Sequence, residues 1–138
     1  MALLGLDDVQ VGQSFSEEVL FDEATIERFL GLTRDTASIH TNEAFSRQKG
    51  FDTLVVHGFL LSIQFSRILG MELPGENTVI GTIQLEFHAP VYVGDRVTYT
   101  ASVRRILRPL GTVALDLDIR KADGTVCVEG KASCVFKT

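Results

Sequence analysis

Hydrophobic and polar positions follow two different periods along the chain. From about Asp22 to Gly70 the apolar residues recur at helical spacing, whereas from about Asn77 to Phe136 apolar and polar residues alternate as they do in β-strands. No internal repeat, low-complexity segment or linker interrupts either half. The pattern therefore predicts one domain, residues 1–138, in which helices precede a sheet.

Three helices are predicted in the first half. The first lies in FDEATIERFLGLTRD, with Asp22 as its N-cap. Its apolar stripe consists of Ile26, Phe29 and Leu30. A short second helix is predicted from Thr41, as N-cap, to Gly50. The third, HGFLLSIQFSRILG at 57–70, is apolar around most of its circumference, so we expect it to be buried on most sides.

Five strands are predicted. Residues 14–20, SFSEEVL, form the first, and four alternating segments follow in the second half. The apolar rows of these four are Val79, Ile83, Leu85 and Phe87; Val97, Tyr99, Ala101 and Val103; Val113, Leu115, Leu117 and Ile119; and Val126, Val128, Ala132, Cys134 and Phe136. Turn segments lie at 93–95, 109–111 and 122–124. Such strands form a predominantly antiparallel sheet with one apolar face.

A single buried helix and a sheet with one apolar face fit together if the sheet curls around the helix. The predicted fold class is therefore α+β, with the arrangement called a hotdog. Such a sheet keeps edge strands and some uncovered apolar surface, and pairing of two copies is the usual way to cover both. We therefore expect a homodimer.

Charge and composition narrow the function classes. Thirteen Lys and Arg against 18 Asp and Glu give a net charge of −5, which disfavours a nucleic-acid surface. The apolar run near the N-terminus is too short for a secretory signal, and no stretch of about 18 apolar residues is present, so no membrane span is expected. Cys127 and Cys134 lie too far apart in one predicted strand to form a disulfide. These features predict a cytoplasmic protein.

Two polar side chains in DTASIH, residues 35–40, are candidates for chemistry. Taken alone, Asp35 could be a helix cap and His40 a surface residue. Taken together, a carboxylate and an imidazole can hold one water molecule between them, one removing its proton and the other donating a proton elsewhere. The hexapeptide is therefore a candidate acid–base pair.

The start of the third predicted helix is a candidate oxyanion site. Exposed amides at the beginning of a buried helix, with the helix dipole, stabilise negative charge on an oxygen. His57 and Gly58 open this helix, and Ser62 lies one turn further on. Structural alternatives are that Gly58 only relieves crowding and that Ser62 only bonds to the carbonyl one turn back.

Four segments, RDTASIHTNEAF, VVHGFLLSIQFSRILG, LPG and LEFHAPVYVGDRV, resemble in this order the R-specific enoyl-CoA hydratases of the MaoC-like group. The motif of that family is Gly-Asp-x-Asn-Pro-aliphatic-His. Asp35 and His40 match its catalytic Asp and His. His57, Gly58 and Ser62 match a His-Gly pair and a serine four residues after the glycine.

Three positions depart from the motif. Arg34, Ala37 and Ser38 stand where the family has Gly, Asn and Pro. The missing proline removes a fixed φ angle, and the missing asparagine removes an amide that could hold the loop or the water.

The resemblance implies a dimeric hotdog that reversibly hydrates trans-2-enoyl thioesters to (R)-3-hydroxyacyl thioesters. Asp35 and His40 would be the catalytic residues, and His57, Gly58 and Ser62 would form the oxyanion and substrate-binding group. No metal or redox cofactor is expected, because no metal-ligand spacing and no phosphate-binding glycine loop is present. The coenzyme A or acyl-carrier arm is part of the acyl-thioester substrate.

Two alternatives remain open from the sequence. A hotdog thioesterase would use the same helix start but attack the thioester carbon. A non-catalytic subunit would bind an acyl thioester without turning it over, and the altered residues around Asp35 are compatible with it.

Overall fold

The computed structural model describes residues 4–137. In chain order the elements are β1 (Ser14–Leu20), α1 (Glu23–Thr33), α2 (Ser38–Thr41), α3 (Glu43–Gln48), α4 (Gly58–Met71), β2 (Thr78–Phe87), β3 (Arg96–Leu107), β4 (Thr112–Arg120) and β5 (Val126–Phe136). Single 3-10 turns lie at Leu6–Asp8 and Arg108–Leu110. Within residues 4–137, no helix has both the length and the apolar character needed to cross a membrane. Residues 1–3, part of the N-terminal apolar run considered above, lie outside the described range.

The five strands form one antiparallel sheet in the order β1-β3-β4-β5-β2. Helix α4 packs on the apolar face of this sheet, where the Phe65 and Tyr99 rings lie 5.0 Å apart. The Tyr99 hydroxyl also donates a hydrogen bond of 2.7 Å to the Leu61 carbonyl. The predicted α+β hotdog arrangement is therefore confirmed.

The central strands carry the core. The predicted apolar rows of β3 and β4 are buried throughout, at 0–2% exposure. The buried residues of α4 that pack with them are Leu60, Leu61, Phe65, Ile68 and Leu69. Because full burial of each such aliphatic or aromatic side chain contributes roughly 1.5–3 kcal/mol, this layer holds the helix against the sheet.

The predicted apolar row of β2 needs one correction. Ile80 pairs with Cys134 and Thr82 pairs with Ser133, so Gly81 is an extra residue that forms a β-bulge. An extra residue shifts the alternation of side chains by one position. Ile80, and not Val79, therefore shares the inward face with Ile83.

Helix α4 is buried on most sides, as predicted, but one stripe of it and part of β2 are open. Phe59 and Ile63 of the helix are 80% and 47% exposed. Ile80, Ile83 and Phe87 of the strand are 37%, 41% and 55% exposed. We call these five residues the open flank.

The segment between α1 and α4 also differs from its prediction. Asn42, and not Thr41, caps α3, because the Asn42 side chain accepts a hydrogen bond of 3.0 Å from the Phe45 amide. The Thr41 hydroxyl donates instead to the Thr36 and Ala37 carbonyls. Residues 38–41, predicted as loop, form the short helix α2.

Candidate active site

Asp35 is positioned by the end of α1. Arg34 is the C-cap of that helix and has a left-handed backbone, φ 58°. Its amide donates to the Leu30 carbonyl at 2.7 Å, and the Asp35 amide donates to the Thr33 hydroxyl at 3.2 Å. The exposed Asp35 carboxylate accepts a hydrogen bond of 3.3 Å from the Ala37 amide. The left-handed conformation gives a physical reason why glycine suits the position before the aspartate.

His40 lies in α2 and is half-buried. Its Nδ1 lies 2.6 Å from the Val55 carbonyl oxygen, which can only accept, so Nδ1 carries the hydrogen. In the neutral ring Nε2 is then a free acceptor. Burial lowers the pKa of His40 below its ordinary value and neighbouring His57 lowers it further, while the Val55 carbonyl and Asp35 oppose this shift. Near pH 7 the neutral ring is therefore the main form.

His57 is the N-cap residue of α4 and is only 2% exposed. Its Nε2 donates a hydrogen bond of 2.9 Å to the backbone carbonyl of Asp35. Its ring stacks on the His40 ring, with centroids 3.7 Å apart and planes inclined by 21°. It also contacts Phe29 of α1, at a centroid distance of 4.8 Å. His57 thus touches both members of the candidate acid–base pair.

The three side chains converge. A carboxylate oxygen of Asp35 and a ring nitrogen from each of His40 and His57 lie within 4.8 Å of one another. Two hydrogen bonds of about 2.8 Å that meet at one water oxygen span between roughly 4 and 5 Å. A separation of at most 4.8 Å is compatible with a single water molecule held between Asp35 and His40.

Gly58 places the start of α4 beside these groups. It is the first residue of the helix, so its amide has no acceptor within the helix. A Cβ atom added at Gly58 would lie 3.2 Å from the Phe87 ring, which leaves little room for a side chain. The Ser62 hydroxyl donates a hydrogen bond of 2.8 Å to the Gly58 carbonyl, as the structural alternative for this serine required.

All five predicted site residues line one cleft of about 530 Å³. The other lining residues were not predicted as site residues: Phe59, Ile63, Ser66, Ile80, Ile83, Leu85 and Phe87. They come from α4 and β2, so the cleft has a polar end at Asp35 and His40 and a long apolar wall. The all-round apolar character of α4 was the sequence signal for this wall, because a helix face that is not packed in the core can line a cavity.

A second hollow, of about 440 Å³, adjoins the first. The two share His40, Gly58 and Phe87. The side chains of the second hollow that belong to it alone include Ile39, Phe51, Val55, His88, Ala89 and Pro90. The candidate catalytic groups therefore lie where two cavities meet.

The same cluster offers three possible metal ligands, Asp35, His40 and His57. A metal ion binds in the plane of an imidazole ring, at about 2.0–2.1 Å from its nitrogen. The two rings are stacked at 3.7 Å and nearly parallel, so their in-plane lone pairs do not meet at one point. The arrangement of the rings suits a held water molecule better than a metal ion.

A MaoC like domain model matches residues 8–110. The chain is 35% identical over 127 residues to an (R)-specific enoyl-CoA hydratase of Rhodospirillum rubrum, covering 92% of this chain and 88% of that protein. It is 31% identical over 129 residues to the (R)-specific enoyl-CoA hydratase of Aeromonas caviae, covering 94% and 96% of the two chains.

The solved structure of the (R)-hydratase from A. caviae involved in PHA biosynthesis is similar in fold as well. It superposes with a TM-score of 0.87 at 31% identity, over 94% of this chain and 98% of that one. The match of the family model covers well over half of the sequence, and the similarity to these relatives extends over nearly all of it. The chain belongs to the MaoC-like domain family.

Proposed function

We propose that this protein is a lyase that reversibly hydrates trans-2-enoyl thioesters to (R)-3-hydroxyacyl thioesters. One observation carries the proposal: an ionisable carboxylate and an imidazole converge at the polar end of an apolar cleft, beside the first amide of α4. The hydratase relatives support the same reaction. Asp35 and His40 are the proposed catalytic residues.

In the hydration direction, Asp35 and His40 hold the attacking water. The Asp35 carboxylate accepts one hydrogen bond from it, and the free Nε2 of neutral His40 accepts the other. As the water oxygen bonds to the β-carbon, its proton passes to Nε2. The Val55 carbonyl and the Asp35 carboxylate stabilise the resulting imidazolium, the two influences that favour a charged His40.

The electron pair of the double bond moves toward the thioester carbonyl as the water adds. The Gly58 amide, at the positive end of the α4 dipole, is placed to stabilise the enolate oxygen. The His40 imidazolium then donates this proton, which came from the water, to the α-carbon. Because water and proton come from the same cluster, both add to one face of the double bond. Ser62 supports the helix start through its bond to the Gly58 carbonyl.

The open flank supports a homodimer. Five large apolar side chains stay partly or largely exposed, and β2 is an edge strand that pairs only with β5 in the described sheet. A second copy laid along this side would cover both the apolar surface and the strand edge. Sedimentation or light scattering should give twice the mass of the chain, and a monomer at micromolar concentration would contradict this part of the proposal.

The substrate supplies its own carrier arm, as coenzyme A or an acyl carrier, and the reaction uses no other cofactor. Addition of water to a conjugated double bond is acid–base chemistry without electron transfer. A cytoplasmic location completes the proposal, supported by two buried cysteines that are free thiols, as in a reducing compartment.

The decisive experiment measures loss of the conjugated enoyl-thioester absorbance over a series of chain lengths, with chiral analysis of the product. Asp35→Asn and His40→Ala should each lower kcat at least about a hundredfold, since positioned acid–base groups contribute on the order of 10²–10⁴ in rate. Asp116→Asn, which changes an exposed carboxylate on β4 outside the cleft, is the matched control.

The other outcomes are equally specific. Near-normal hydration by either variant would overturn the catalytic assignment. Release of free thiol from a saturated acyl thioester, with no hydration, would identify a thioesterase. Acyl-thioester binding without turnover at any chain length would identify a non-catalytic subunit.

A further inference from the structure

His57 makes contacts that binding a substrate does not require. Although it lines the cleft, it is almost fully buried, and its ring contacts the Asp35 carbonyl, the His40 ring and Phe29 of α1. It holds the Asp35 carbonyl by a hydrogen bond and the His40 ring by stacking. These contacts join the end of α1, the helix α2 and the start of α4.

The two histidine rings carry their hydrogens on different nitrogens. The Asp35 carbonyl accepts, so the His57 ring carries its hydrogen on Nε2, and its buried Nδ1 has no hydrogen-bond partner among residues 4–137. The Val55 carbonyl likewise places the His40 hydrogen on Nδ1. In the neutral rings, these two opposite tautomers satisfy both carbonyls and leave Nε2 of His40 as an acceptor.

Stacking on His57 restricts the remaining tilt of the His40 ring. Its bond to Val55 restrains one atom, and a ring held at one atom can still tilt about that contact. The His57 ring, 3.7 Å away and nearly parallel, blocks the tilt toward α4. The other titratable groups that line the two cavities around the pair are His88 and Asp35, and Asp35 faces the pair from the loop between α1 and α2.

We propose that His57 is a positioning residue, which holds Asp35 by its backbone and keeps the His40 ring in the orientation that offers Nε2 to the water. This proposal rests on the proposed hydratase function. It replaces the sequence-based prediction of a substrate-binding role for His57 with a role through the two catalytic residues.

Two substitutions separate the two contacts. In His57→Gln the amide nitrogen is the same number of bonds from Cα as Nε2 of histidine. The hydrogen bond to the Asp35 carbonyl is therefore kept, and the stacking on His40 is lost. His57→Phe keeps a ring of similar shape, so the stacking is kept and the bond is lost. Thermal unfolding shows whether each variant folds, and one folded variant is sufficient for the test.

We expect His57→Phe to lower kcat by between about 10- and 100-fold with little change in KM, since small displacements of a catalytic group cost this much. His57→Gln should keep more of kcat but move the acid limb of the kcat/KM profile to higher pH, because a neighbour that lowers the pKa of His40 in the free enzyme has been removed. An unchanged kcat and pH profile in the folded variants would overturn the proposal.

Nitrogen NMR of the wild-type protein without substrate tests the geometry independently of turnover. The expected spectrum shows His57 as the Nε2–H tautomer and His40 as the Nδ1–H tautomer, and His57→Gln should shift the His40 signals. The same tautomer on both rings, or His40 signals unaffected by the loss of stacking, would refute the role of His57. A wild-type protein with the expected spectrum and no hydration activity would instead refute the proposed function.

Discussion

The two sides of helix α4 differ in how completely they are packed. On the side of β3 and β4, the alternating apolar side chains are almost fully buried. On the side of β2, side chains of the same kind remain open and line a cleft. Apolar periodicity therefore marks two things in this chain, a core that stabilises the fold and an open wall that lines a cleft.

The largest expected contrast is in stability. Leu115→Ala removes a fully buried side chain of β4 and should lower the free energy of unfolding by about 2–5 kcal/mol. Ile83→Ala, on the open flank, should cost less than about 1 kcal/mol in dilute protein, because little packing is lost there. Denaturant titration of both variants makes the comparison, and equal losses would show that the flank is packed like the core.

A smaller effect should appear in pH dependence. Burial, first of all, lowers the pKa of His40 from its ordinary value of 6.5, so the ring is mainly neutral near pH 7 in the folded protein. If Nε2 accepts the proton during hydration, the pH profile of kcat/KM should have an acid limb with its midpoint below 6.5.

The sign for stability follows from the same shift. As pH falls below 6.5, His40 binds a proton in the unfolded chain before it does so in the folded chain. The free energy of unfolding therefore decreases as pH falls from 6.5 through the lowered folded-state pKa of His40. His40→Ala should reduce this loss, measured as the change in unfolding midpoint between neutral and mildly acid pH. An acid limb with its midpoint above 6.5 would contradict the lowered pKa of His40.

The smallest effect concerns the stability of the segment that carries the proposed catalytic pair, Asp35 and His40. Ser38 is the first residue of α2, a position where proline is favoured, and Ala37 has φ −52° and ψ 142°, which a following proline accepts. Ser38→Pro should therefore raise the free energy of unfolding by about 0.4–1 kcal/mol. Asp116→Pro, in the central strand β4 that pairs with both β3 and β5, is a control that should destabilise, because proline there removes a hydrogen bond of the sheet.

The sequence predicted the buried half of the molecule well, because alternation in β3 and β4 is a local property. It missed the register of β2, since one inserted residue, Gly81, reverses which side chains face inward. The Asp22 cap was correctly predicted and Thr41 was not, because Asn42, beside Thr41, also has a side chain that can cap a helix.

The candidate site shows the same division between local and long-range information. The spacing within residues 35–40 and the family motif pointed to Asp35 and His40, which the fold does bring together. The contacts of His57 could not be predicted, because they join residues more than 15 positions apart through tertiary structure. The exposure of Phe59 likewise depends on what covers α4, and no local pattern records that.

The meeting of the two hollows at His40, Gly58 and Phe87 separates reactivity from selectivity. A thioester with its reactive carbons at this junction would send its tail and its carrier in different directions. Substitutions along either cavity would then change substrate selectivity without altering the residues that transfer protons. Related proteins with this arrangement can therefore differ in substrate range and keep the same reaction.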